Sequence, residues 1–293
     1  MTLVILAAGM GSRFGGLKQI EPVDDYGNFI IDYSAYDAAK AGFDKIVFVI
    51  KEENYEIFKN TVGSRVSKLC KVEYAFQKND NLDKYVSIPD SRVKPFGTAH
   101  ALLCAKDYID GPFAIISSDD FYGFGAFKEL YDCMKKGDSV AIGYLLKNTM
   151  SENGSVKRGV CFTKDGYLTK NDDYKIERID NKIIGESLVD DSKIELDENQ
   201  EVSMLMYGLD YSVITYIEDN LDKFFQDNKD NLDTCELLLP NILTDMINDN
   251  KIKIKVVPTA EKWMGITYKD DLQKLKDYLN DLRKKGVYPN NLY

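Results

Sequence analysis

The chain has 293 residues, with 48 Asp and Glu against 38 Lys and Arg, and its net charge of −10 argues against a nucleic-acid binder. Hydrophobic residues make up 44% and aromatics 12%, and no run approaches the ~18 consecutive apolar residues of a membrane span, so a soluble protein with no membrane partner is expected. The length suits one large domain, or a main domain with a smaller appendage.

Cys70, Cys104, Cys133, Cys161 and Cys235 are widely spaced and form no CxxC pair, which points to free thiols in a reducing cytoplasm. His100 is the only histidine, so a His-rich metal site is excluded. Met1 to Ala8 is apolar but stops at Gly9 and follows no basic segment; it reads as a first strand, not a signal peptide, and a cytoplasmic location is expected.

Thr2 to Ala7 is a continuous apolar run, as expected of a strand buried on both faces of a parallel sheet. A glycine-rich loop follows from Ala8 to Lys18. Asp32 to Ala41 reads as a helix with Asp32 as N-cap and Gly42 as its stop. Lys45 to Ile50 is a second strand, Glu52 to Asn60 a second helix and Val72 to Phe76 a third strand, an alternation typical of a parallel α/β sheet. Asn79 to Lys94 is polar, contains Pro89 and has no periodicity, so it is expected to be a long surface loop, a kind more often functional than idle. Thr98 to Lys106 has helical spacing, and Phe113 to Ser117 is another buried strand, ending in Ser118-Asp119-Asp120.

After Ala141 the pattern changes. Gly159 to Thr163, Gly166 to Leu168, Lys182 to Ile184 and Val202 to Leu209 are strand-like pieces split by Asp, Asn and Gly, which suggests antiparallel elements carrying a second half-site. Helical patterns return at Tyr211 to Phe225, Cys235 to Ile247 and Tyr268 to Arg283. Lys251 to Val257 alternates charged and apolar residues, as an edge strand guarded by lysines would; a phosphate-binding stripe is the less favoured reading. Lys284 to Tyr293 reads as the most disposable segment.

Spacing separates the possible readings of the glycine loop. A dinucleotide fingerprint needs GxGxxG, but Phe14 stands where the third glycine belongs, and a P-loop needs Gly-Lys-Ser/Thr, yet Leu17 follows Gly16. An extended loop whose backbone amides wrap a nucleoside triphosphate fits, with Arg13 and Lys18 supplying positive charge.

Here a resemblance becomes specific. Leu6-Ala7-Ala8-Gly9-Met10-Gly11-Ser12-Arg13, followed by Lys18, is similar to the N-terminal signature of the nucleotidyltransferases that activate sugar phosphates. Gln77 with Gly97-Thr98-Ala99-His100-Ala101 resembles the base-reading segments of bacterial UTP:glucose-1-phosphate uridylyltransferases, although the polar loop between them is much longer here. His100 itself is read as a satisfied helix histidine in preference to a catalytic one. Ser118-Asp119-Asp120 resembles the family's Gly-Asp metal site, with Asp119 aligned to the magnesium carboxylate; an acidic pair could also start a turn and cap a helix. Arg158-Gly159-Val160 and Ile176-Glu177-Arg178 resemble the segments that contact the sugar and its phosphate. The chain departs from the pattern at Arg178, where a lysine is usual, around Gly208, where an asparagine is missing, and at Gly265, where a second metal-binding Asp is common.

The resemblance implies a Rossmann-like, mostly parallel α/β sheet flanked by helices, of the nucleotide-diphospho-sugar transferase type, with a smaller antiparallel acceptor-binding part. The expected division is a catalytic domain over residues 1–257, with its acceptor part at about 141–210, and a C-terminal helical extension over 258–293. It implies transfer from an NTP, UTP for preference, to a small phosphorylated acceptor such as a sugar 1-phosphate. Ala8, Gly9, Gly11, Ser12, Gln77, Gly97 and Thr98 would bind the nucleotide, Gly159, Glu177 and Arg178 the acceptor, and Asp119 and Asp120 Mg2+. Arg13 would bind the departing phosphates and Lys18 would stabilise charge at the α-phosphate. Two alternatives stay open: a CTP-dependent enzyme acting on a phosphorylated alcohol, amine or phosphonate, and a catalytically silent nucleotide-binding regulator.

Overall fold

The computed structural model describes residues 1–9, 21–151, 154–180, 182–266 and 269–293. Its first strands form because their residues are apolar on both sides. In β1 (Thr2–Leu6), Leu3 and Ile5 face one core cluster and Val4 faces another, all fully buried. β1 lies between β2 (Lys45–Ile50) and β4 (Phe113–Ser117), parallel to both, and β2 pairs in parallel with β3 (Lys71–Phe76).

One face of this sheet is covered by α1 (Ile30–Ala41) and α3 (Phe124–Met134), whose Ile31, Ala35, Phe127 and Leu130 meet Leu3 and Ile5. The other face is covered by α2 (Thr98–Cys104), α4 (Ser212–Asp227) and α5 (Leu239–Asn248), whose Leu102, Ile217 and Leu243 meet Val4 and Val47. A helical stretch over residues 52–66 includes a π turn at Lys59–Gly63 and runs past the expected end at Asn60. No described helix is long and apolar enough to cross a membrane.

The expected mostly parallel sheet is corrected to a mixed one. β6 (Ser139–Leu145) is separated from β4 by β11 (Glu201–Leu209), which runs antiparallel to both. The strands β7 (Val156–Lys164), β8 (Tyr167–Ile179), β9 (Lys182–Ser187) and β10 (Lys193–Leu196) extend the sheet by antiparallel pairing, as the second half of the sequence suggested. A separate small ladder joins β5 (Asp120–Phe121) to β13 (Met264–Gly265).

Four local expectations change. β12 (Ile254–Thr259) is no edge strand: it runs parallel to β6 and also bridges β8, so the lysine alternation marks a solvent-facing side of an interior strand. Asp32 is not the N-cap of α1, because the helix starts at Ile30; it lies one turn in and its carboxylate accepts the Phe29 amide at 2.7 Å. α5 begins at Leu239, not Cys235, with Pro240 in its first turn. The segment read as disposable is built into a third core cluster, in which Tyr288 and Leu292 join Leu275 and Leu279 of α6 (Lys269–Lys284) against Ile30, Tyr33 and Phe121. Its hydroxyls bond acids of α1: Tyr288 to Asp37 at 2.6 Å and Tyr293 to Asp32 at 2.7 Å.

Candidate functional site

The C-terminal ends of β1, β3 and β4 bring three of the sequence features to one edge of the sheet, where ligand crevices of open α/β sheets lie. Leu6 stands opposite Ser117 in the ladder, and the Ser118 amide donates to the Leu6 carbonyl at 3.1 Å. Ala7 is tied to Val49 at 2.8 Å and Gln77 to Ile50 at 3.0 Å. Ala8 is buried and Gly9 exposed as the chain leaves β1. Gly11, Ser12, Arg13 and Lys18 lie outside the described residues.

Gln77 is held by its amide nitrogen. Nε2 donates to the Gly97 carbonyl at 3.0 Å and lies 3.4 Å from His100 Nδ1. His100 is fully buried, with Nε2 3.4 Å from Cys104 Sγ, and burial pushes its pKa down to about 4, which keeps it neutral. Gly97 has φ +97°, and a Cβ there would come within 2.8 Å of the Leu237 carbonyl, so glycine is needed at this entry to α2. The Thr98 hydroxyl accepts the Leu239 amide at 2.9 Å and thus caps α5. The long loop after Gln77 is anchored through Arg92, which stacks on Phe96 at 3.5 Å and donates to the carbonyls of Lys94 and Cys235 at 2.9 and 2.8 Å.

Asp119 and Asp120 follow β4 directly. Ser117 Oγ donates to Asp119 at 2.7 Å, and Asp120 pairs with Gly265 in the small ladder. The buried Tyr122 hydroxyl accepts the Ser117 amide at 3.0 Å and lies 3.3 Å from Asp120 Oδ2 and 3.0 Å from the Met204 carbonyl. A Cβ at Gly265 would meet Asp120 Oδ1 at 2.9 Å and the Trp263 ring at 2.6 Å, so a carboxylate at 265 would require one of these side chains to shift. Among the described residues no group of three His, Cys, Asp or Glu converges. The adjacent carboxylates still suit a hard cation such as Mg2+, which is commonly held by one or two carboxylates together with substrate phosphates.

Beyond Gly265 opens a cleft of about 870 Å3, lined among others by Arg158, Arg178, Trp263, Lys147 and Lys262. Arg158 stacks on Trp263 at 4.5 Å and donates to the carbonyls of Lys157, at 2.8 Å, and Thr149. Burial pushes its pKa down to about 10 against the opposing pull of the Asp120 charge, so it remains a cation and feels that carboxylate. Its Nε is buried without a partner.

Of the three expected acceptor residues, the structure brings only Arg178 to this cleft. Glu177 is its neighbour on β8, and strand alternation turns it to the opposite face. Gly159 packs against Asn171, where a Cβ would come within 2.5 Å of Oδ1. The sequence reading passed over Arg158 as a site residue, together with Trp263, Lys147 and Lys262. The one signal was that Arg158 adjoins Gly159 in a quoted segment.

A family model described as nucleotidyl transferase matches residues 2–281. The chain belongs to the nucleotidyl transferase family. Over 141 residues it is 27% identical to the low-salt glycan biosynthesis nucleotidyltransferase Agl11 of Haloferax volcanii, covering 46% of this chain and 34% of that protein. Over 133 residues it is 28% identical to the UTP–glucose-1-phosphate uridylyltransferase YngB of Bacillus subtilis, covering 40% of this chain and 42% of that protein. The chain therefore spans less than half the length of either curated relative. The solved structure of the inositol-1-phosphate CTP transferase from T. maritima superimposes with a TM-score of 0.63 over 96% of both chains at 13% identity, which shows a shared fold.

Proposed function

We propose that the protein transfers a uridylyl group from UTP to the phosphate of a sugar 1-phosphate and releases pyrophosphate. The observation that carries this reading is the acidic pair Asp119 and Asp120 after β4: the C-terminal end of β1 and Gln77, held to Gly97, lie at the same edge of the sheet, and Gly265, which pairs with Asp120, lines the cationic cleft. An oxygen of the acceptor phosphate forms the new bond to the α-phosphorus while the bond to the β-phosphate oxygen breaks, its electron pair leaving with pyrophosphate. The nucleophile is already an anion, so no general base is required, and positioning with charge neutralisation supplies the catalysis.

In this reading Asp119 and Asp120 hold Mg2+, which when bound neutralises phosphate charge. Arg13 grips the departing phosphates, Lys18 the α-phosphate, and Arg158 with Arg178 the acceptor phosphate. Gln77 presents Oε1 to a base N–H such as that of uracil. A second reading, CTP in place of UTP with a phosphorylated cyclic alcohol as acceptor, is favoured by the fold shared with the inositol-1-phosphate CTP transferase.

Pyrophosphate release, measured with each NTP against sugar and polyol phosphates, separates the two. Release that requires Mg2+, prefers UTP tenfold or more and falls at least ~100-fold in Asp119→Asn is expected, since a lost metal carboxylate removes about 3 kcal/mol or more of stabilisation. Preference for CTP would move the conclusion to the second reading, and full activity of Asp119→Asn would remove Asp119 from the site.

A further inference from the structure

We infer that the acceptor carries a second anionic group, a carboxylate or another phosphate, besides the phosphate that attacks; the inference rests on the nucleotidyl-transfer reading above. Three cations that line the acceptor cleft, Lys147, Lys262 and Arg178, have no described carboxylate to neutralise them, and a fourth, Arg158, feels the charge of Asp120. Arg158 is held by Trp263 and backbone carbonyls, Lys147 donates to the Asn199 amide oxygen at 2.6 Å, Lys262 lies 5.2 Å from the Tyr278 ring, and Arg178 has no described partner. Lys157, in the same wall, shows the contrast, because it is paired with Asp173 at 2.9 Å.

Such a concentration is unexpected in a chain of net charge −10, where lysines and arginines have carboxylates in excess to pair with. Arg158 stands at the Asp120 end of the cleft, as its interaction with that carboxylate requires, and one guanidinium can grip a phosphate in bidentate fashion. With Arg158 and Arg178 on the attacking phosphate, Lys147 and Lys262 are left to face the rest of the acceptor. Sugar hydroxyls can be served by Asn148, Thr149 and Ser155 of the same lining, so it is the surplus of full positive charge over one phosphate that calls for a second anion. Asp271 is the one carboxylate among the described cleft residues. A volume of about 870 Å3 lies near the large end of small-molecule sites and leaves room beyond a single phosphate. The same charges oppose phosphorylated amines, whose ammonium group would meet cations on several sides.

The test compares acceptors that differ only at C6: glucose 1-phosphate, glucuronate 1-phosphate and glucose 1,6-bisphosphate, each with UTP and with CTP, and adds phosphocholine as a cationic acceptor. With pyrophosphate release as readout, at least one doubly anionic acceptor is expected to exceed glucose 1-phosphate in kcat/KM by tenfold or more. In Lys262→Gln and Lys147→Gln that ratio should fall several-fold, because the lost charge faces the second anion. Glucose 1-phosphate or phosphocholine used as well as the doubly anionic compounds would overturn the inference while leaving nucleotidyl transfer intact. No pyrophosphate release from any acceptor with either nucleotide would overturn the proposed function, and the inference with it.

Discussion

Replacing Tyr288 with phenylalanine removes one hydroxyl and leaves the ring in place, packed edge-on against Tyr33 with centroids 5.0 Å apart. What changes is Asp37. Its carboxyl is 1% exposed, Oδ1 already lacks a partner, and Oδ2 would lose the 2.6 Å bond from Tyr288. An unsatisfied buried polar group costs about 1–3 kcal/mol, which is the expected loss of stability. Removing residues 288–293 also strips the burial of Tyr288 and Leu292, 3% and 2% exposed, worth about 1.5–3 kcal/mol each. The combined loss of roughly 4–9 kcal/mol is comparable with the whole stability of a typical domain, about 5–15 kcal/mol. Urea denaturation followed by the fluorescence of Trp263, the single tryptophan, measures both. Tyr288→Phe should lower the midpoint with an unchanged m value, and the truncated chain should be largely unfolded in buffer. A truncated protein with the full-length midpoint would refute the tail as part of the core.

Gly97→Ala places a Cβ at φ +97° and 2.8 Å from the Leu237 carbonyl, so it should cost about 1–3 kcal/mol and raise the KM for UTP by displacing the carbonyl that holds Gln77. Unchanged denaturation and kinetics would contradict it. Burial pushes the pKa of Asp32 up to about 6 from 3.8 despite the Arg65 ion pair at 2.8 Å, so the folded state binds this proton more tightly than the unfolded state. Its contribution is therefore fully present below pH 3.8 and is lost as pH rises to about 6, by about 3 kcal/mol. In denaturation at pH 4 and pH 7 the fall in stability should be larger in wild type than in Asp32→Asn by about that amount, because Asp37, raised by burial in both, contributes to each. Arg178→Lys should raise the acceptor KM severalfold and leave that for UTP unchanged, because a planar fork is replaced by a point charge. Steady-state kinetics with each substrate varied in turn checks it, and an unchanged acceptor KM would remove Arg178 from the site.

The parallel half of the molecule was legible because β1, β2 and β4 are nearly continuous apolar runs; their ends, and those of the more exposed edge strand β3, fall within about one residue of the runs that announce them. The lysines before and within β12 misled for the opposite reason. Lys255 is exposed while Ile254 and Val256 are buried, so the alternation reports one open face, which an interior strand of a mixed sheet can also have. Tyr288, Leu292 and Tyr293 are scattered among polar residues, and only docking onto Asp32, Asp37 and Tyr33 gives them a core to join. That is tertiary information, absent from local composition.

The candidate site divides along the same line. Strand ends can be read from strands, so Asp119 and Asp120 could be placed at the crevice from sequence, while Gln77 and Gly97 were reached through the family resemblance. Arg158 could not, because what makes it a held, partly desolvated cation is Trp263, brought to it from a distant part of the chain. The insertion of β11 between β4 and β6 is what produces this meeting. It sets the antiparallel strands beside the ends of the parallel ones and leaves β5 and β13 to close the gap, with Tyr122 tying Asp120 to the β11 carbonyl of Met204. At that seam a Cβ on residue 265 would lie 2.9 Å from Asp120 Oδ1 and 2.6 Å from the Trp263 ring, so a side chain there would have to displace either the acidic pair or the ring on which Arg158 stacks.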